Sequence, residues 1–121
     1  MTPTREQLEL AAKALGLTVL GEYDESSGIV VLSPIEGQAY WNPVTDKSDS
    51  FDLMFTCGIR PYWTNSEFFD GSDYCAATTR HLESGIVLYK DHNNDKGLAT
   101  MWAVFLCAVE IGKSLANGRA M

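Results

Sequence analysis

Apolar residues recur at helical spacing near the start of the chain. Leu8, Ala11, Ala12 and Leu15 stand at i, i+3, i+4 and i+7, one face of an α-helix. Thr4 and Gln7 have capping-box spacing: the hydroxyl accepts a first-turn backbone N–H and the amide side chain reaches back to the cap. Gly16 can take the left-handed conformation that ends a helix. The pattern predicts a helix over residues 5–15.

The period then changes. Thr18 to Tyr23 and Ile29 to Ser33 are rich in β-branched and aromatic residues, and Asp24-Glu25-Ser26-Ser27-Gly28 between them is loop chemistry. A β-hairpin is predicted. Gln38 to Trp41 adds a short extended piece, and Pro43 turns Asn42 away from helical angles. Ser48 or Asp49 caps a second helix, with Phe51, Met54 and Phe55 on its buried side and Gly58 as its stop. Ile59 to Thr64, Tyr74 to His81 and Ile86 to Lys90 read as three more strands, with Glu83-Ser84-Gly85 as a turn. Asn93-Asn94-Asp95 caps a final helix from Gly97 to Leu115.

That final helix is the strongest signal of packing. Leu98, Met101, Trp102, Phe105, Val109 and Gly112 share a face, yet Ala103, Val104, Leu106 and Cys107 leave little polar surface opposite. Such a helix must be covered nearly all round, either by the sheet and another helix or by a subunit interface. The expected architecture is α+β: a mostly antiparallel sheet with helices packed on it, α/β/α sandwich-like, in the order α-β-β-α-β-β-β-α. A length of 121 residues fits a single domain, 1–121, able to bury a core without cross-links.

Composition narrows the functional classes. The N-terminus lacks a signal-type apolar run, and the charge-free stretch from Gly97 to Val109 is shorter than the roughly 20 residues of a membrane-spanning helix. Cys57, Cys75 and Cys107 have no CxxC spacing, which points to buried thiols in a reducing cytoplasm. A net charge of −7 with scattered Lys and Arg disfavours direct contact with nucleic acid or an anionic membrane and permits attraction to a basic protein surface.

Candidate chemistry is sparse. Asp91-His92-Asn93-Asn94-Asp95 has oxygens at alternate positions, as a calcium loop opens, but Gly97 and Trp102 stand where such a loop needs other spacing and a carboxylate. A turn and helix cap is the better account. Cys75 and His81 are six positions apart on one predicted strand, about 20 Å, too far for a nucleophile–base pair. Asp46, Asp49 and Asp52, and Glu67, Asp70 and Asp73, read as solvated acids, although convergence with His81 or His92 stays open. No catalytic residues, metal ligands or cofactor are expected. The aromatic, acidic segment Pro61 to Tyr74 supplies the interaction candidates Tyr62, Trp63, Phe68, Phe69, Asp70 and Asp73. The alternative is that these aromatics pack inward and pin a loop.

Three stretches resemble the small phage and prophage proteins of the phage ABA-sandwich domain family: Thr4 to Ala14, Trp41-Asn42-Pro43-Val44-Thr45-Asp46 with the helix to Gly58, and Ala108 to Lys113. The resemblance covers roughly a third of the chain and implies a phage or prophage origin and α-β-α layering; it implies no reaction. Met101 to Ala108 is apolar where compared relatives carry basic residues, and the aromatic loop is individual to this chain. The expected function is a non-enzymatic accessory protein in the host cytoplasm that binds and inhibits a host protein with a basic or mixed surface, a defence component such as a CRISPR effector being one candidate. The C-terminal helix is the candidate homo-oligomer contact. Other classes stay open: a nucleotide-sequestering domain with Trp41, Tyr62, Trp63, Arg60 and Arg80 around a pocket, a hydrolase of Asp, Glu and His residues, and a virion component.

Overall fold

A computed structural model describes residues 2–33, 37–65, 73–80 and 83–118. The chain runs α1 (Arg5–Leu15), β1 (Thr18–Asp24), β2 (Gly28–Ser33), β3 (Gly37–Trp41), α2 (Lys47–Cys57), β4 (Arg60–Asn65), β5 (Asp73–Thr78), β6 (Glu83–Leu88), a 3-10 turn (Tyr89–His92) and α3 (Lys96–Ala116). The class is α+β, with antiparallel strands and helices packed on them.

Local chemistry explains the helix ends. The Thr4 hydroxyl accepts from Gln7 N, the Gln7 side chain accepts from Thr4 N, and Gly16 closes α1 in the left-handed conformation. Asp46, not Ser48 or Asp49, caps α2, its carboxylate accepting from Asp49 N at 3.1 Å. Asp95 caps α3 by accepting from Leu98 N at 3.0 Å. Asn93 and Asn94 precede it at φ 57° and 55°, a left-handed conformation that Asn tolerates better than most residues. The calcium-like string is thus a turn and a cap.

The strands form two sheets rather than one, ordered β1-β2-β3 and β4-β5-β6. Each is a meander whose strands find their partners in sequence neighbours, so pairing in the first is complete before the chain enters α2. The short extended piece near Gln38 is a full strand, paired from Ile29↔Trp41 to Ser33↔Gly37. The order is therefore α-β-β-β-α-β-β-β-α. β6 starts at Glu83, inside the expected turn, because Thr78 and Ala77 pair with Glu83 and Ser84.

α1 packs on β1 and β2, α3 packs on β4, β5 and β6, and the two helices lie against each other with α2 touching both. One hydrophobic cluster joins these layers, with Leu8, Ile29, Leu53, Cys75 and Phe105 among its fully covered members. Burial of each large apolar side chain stabilises the fold by roughly 1.5–3 kcal/mol relative to exposure. α3 is 21 residues, apolar, and long enough to cross a bilayer, but ten of its residues are buried inside this fold. Where α3 meets α1, a Cβ on Gly112 would collide with the Leu10 carbonyl. Only glycine lets the two backbones approach so closely.

α2 is rotated from the expected orientation. Ser50, Leu53 and Cys57 face inward at i, i+3 and i+7, and that direction carries Phe51 and Phe55 outward. They are 57% and 79% exposed.

Candidate functional site

The outward turn of α2 builds an apolar groove. Phe51 and Met54 form one wall, Met101 and Thr100 of α3 the other, and Trp63 of β4 lies between them, around a volume of about 550 Å³. Trp63 reaches the groove because β4 pairs it with Cys75, a fully buried residue on the face of β5 that meets α3. Its indole N–H donates to Thr100 Oγ1 at 2.7 Å, and the Thr100 hydroxyl donates to the Lys96 carbonyl at 2.7 Å. These bonds fix the indole while leaving the residue 47% exposed.

Two lysines rim the groove. Lys96 Nζ sits 4.8 Å from the Trp63 ring centroid, an exposed cation–π contact of about 0.5–1 kcal/mol. Lys47, in the first turn of α2, also lines it. Phe55 extends the strip by stacking on Phe51 at 6.1 Å between centroids. On a chain of charge −7, the groove lining carries two lysines and no carboxylate, and three exposed aromatics stand in or beside it. Such a surface can seat apolar side chains and attract carboxylates; its hydroxyls at Ser50 and Thr100 have no imidazole or carboxylate beside them in the lining.

The sequence candidates are dispersed by the fold. Trp63 belongs to the groove, whereas Tyr62, its neighbour on β4, projects to the opposite face and is half-buried. Asp73 is exposed at the start of β5, opposite Asn65. Phe68, Phe69 and Asp70, with Glu67 and His81, lie outside the described residues. Of the acids near α2, Asp46 is the cap, Asp49 accepts from Asn42 N at 3.0 Å, and Asp52 is exposed. Of the nucleotide-pocket candidates, Arg60 and Arg80 share a cleft of about 380 Å³ with Thr78 and Thr79. Trp41 is instead buried in the core at the end of β3, and Trp63 sits in the groove.

His92 is buried and stacked on Trp102, with centroids 5.6 Å apart. Burial pushes its pKa down, opposed by the Asp91 carboxylate. The three cysteines are free thiols. Burial pushes all three up, Cys107 to about 11.

Phe51, Phe55, Lys47, Lys96 and Met101 were absent from the sequence candidates. A signal existed: Lys47, Phe51 and Phe55 stand at i, i+4 and i+8, so a basic residue and two aromatics share one helix face. No family model, curated protein or solved structure matches this chain. The phage resemblance therefore stands on its three stretches alone.

Proposed function

We propose that this chain is a non-enzymatic protein-binding module whose groove takes an apolar segment of a partner protein flanked by carboxylates. The observation that carries it is the convergence of exposed Phe51, Phe55 and Trp63 with Lys47 and Lys96 on an otherwise acidic chain. Exposed aromatics at the centre of a contact contribute much of its free energy, and rim charges steer the encounter and select the partner. The surrounding acids favour a basic border around that acidic, apolar anchor, which together make a mixed surface. On the phage resemblance the partner is a host protein in the host cytoplasm, inhibited by occupancy; a defence component such as a CRISPR effector is a candidate target.

The test uses three fluorescent peptides with the same Leu- and Phe-containing core, flanked by Glu, Lys or Gln, in anisotropy titrations. The Glu-flanked peptide binds at least tenfold tighter than the Lys-flanked one. Phe51→Ala and Trp63→Ala each weaken it about tenfold while the circular dichroism is unchanged. The Lys47→Glu, Lys96→Glu double variant inverts the charge preference. Equal binding of all three peptides, or full binding by Phe51→Ala, overturns the proposal.

A further inference from the structure

The groove carries its charge at one end. Lys47 and Lys96 are the first residues of α2 and α3, and the two helices run in the same direction. Their first turns border the groove, while Cys57 of α2 and Ile111 and Leu115 of α3 meet at a separate cleft toward their C-terminal ends. Both ammonium groups therefore belong to one end of the groove, and Phe51, Met54 and Met101 follow as its apolar body. A cation is disfavoured at the first helical position, where the helix dipole is positive, so local helix stability accounts for neither lysine. Among the described residues neither makes an ion pair. The carboxylates that precede them, Asp46 and Asp95, are turned back onto their own helices, accepting from Asp49 N and Leu98 N.

The groove is short. From Lys47 to Met54 the α2 wall runs about 10 Å at 1.5 Å per residue, room for about three residues of extended chain. Phe51 and Trp63 are 57% and 47% exposed, so the groove is open along its side. That suits a peptide laid across it better than a free fatty acid, whose chain needs enclosure. Lys96 Nζ lies 4.8 Å from the Trp63 ring centroid, offering cation and aromatic surface side by side. A ligand that satisfies both presents a carboxylate and an apolar group within one residue. An apolar C-terminal residue does so, because its α-carboxylate and its side chain leave the same Cα. An internal Asp or Glu uses its side chain for the charge. Asp46 and Asp95 adjoin the lysines and repel an acidic run that continues past that end.

We infer that the groove is a receptor for the extreme C-terminus of its partner, with the α-carboxylate beside Lys47 and Lys96 and the last apolar side chains against Trp63, Phe51 and Met101. This rests on the protein-binding reading of the groove and narrows it to a chain end charged on one side.

The full chain is titrated by anisotropy with N-terminally labelled peptides that share a Leu-Phe-Leu end: the free acid, its amide, and an amidated form extended by Glu-Gly-Gly. The Glu-flanked peptide of the preceding test is the reference. The free acid binds about tenfold tighter than the amide or the extended form, as a charge pair at the rim of an apolar contact can supply. Decanoate, with the same charge and apolar body but no peptide, displaces it about tenfold less well than the unlabelled acid. In the Lys47→Gln, Lys96→Gln variant, both sites being exposed, the acid falls to the affinity of the amide and the amide is unchanged. Phe51→Ala weakens acid and amide by the same factor, and circular dichroism is unchanged in both variants. Acid and amide binding alike while the Glu-flanked peptide still binds overturns the inference and leaves the groove reading intact. An extended form that matches the acid, or decanoate that competes equally, also overturns it. Loss of the Glu-flanked peptide as well overturns both.

Discussion

Two stretches of α3 both carry apolar residues and meet different fates. From Val104 to Gly112 the helix is enclosed, with Val104, Phe105, Cys107, Ala108, Val109, Ile111 and Gly112 all buried. From Lys96 to Met101 only Ala99 is buried, and Lys96, Gly97, Thr100 and Met101 line the groove. What differs is the neighbour. The enclosed half meets α1 so closely that Gly112 touches the Leu10 backbone, whereas the open half faces α2 across a space rimmed by outward-turned Phe51. An apolar stripe thus states that cover is needed without saying whether this chain or another molecule provides it.

The largest expected effect comes from breaking the enclosed half. Gly112→Ala places a methyl group against the Leu10 carbonyl and should cost about 3 kcal/mol, the upper part of the usual range for overpacking. Denaturant unfolding followed by circular dichroism measures it. In the open half, Phe55→Ser should shift stability by less than about 0.5 kcal/mol, as exposed substitutions do, while weakening the Glu-flanked peptide. If the two variants destabilise equally, the contrast between the halves is lost.

A smaller effect should appear with pH at the junction before α3. His92 has a lowered folded pKa against an ordinary value of 6.5, chiefly through burial, with Asp91 opposing. The unfolded chain then binds the proton first, so the folded state loses stability as pH falls below about 6.5 and continues to do so until the folded pKa is passed. His92→Phe should flatten that part of the stability profile between pH 7 and 5. An unchanged slope would show that His92 does not supply it.

The smallest effect is chemical. Cys107, in the enclosed half, has its thiol raised to about 11 by burial, with Cys57 and Glu110 adding to the shift. At pH 7 about one molecule in ten thousand carries the thiolate there, the reactive form. Iodoacetamide should modify half-buried Cys57 first and leave Cys107 intact until unfolding, as peptide mass mapping would show. Early labelling of Cys107 would mean that the enclosed half opens.

Much of the fold was legible because its signals are local. The Thr4–Gln7 box, the Gly16 and Gly58 stops, the hairpin around Asp24 to Gly28 and the cap at Asp95 each depend on a few neighbouring residues. The division into two sheets was not legible, since strand propensity does not name a partner and the same six segments pair equally well on paper in one sheet. The candidate site was legible only at Trp63. Phe51 and Phe55 looked like core because large aromatics usually are, but which side of α2 faced inward depended on Ser50, Leu53 and Cys57 meeting the other helices.

By itself, then, the sequence determined which segments become helix or strand and both ends of α1, that α3 must be covered, and that the chain is acidic. Those properties follow from backbone conformation, period and charge, which short stretches carry within themselves. The tertiary structure alone decided that α1 covers the rear of α3 and that two lysines gather beside exposed aromatics. Packing made those choices, because a helix can turn either face inward at small local cost and only the competing contacts of the whole chain rank the alternatives.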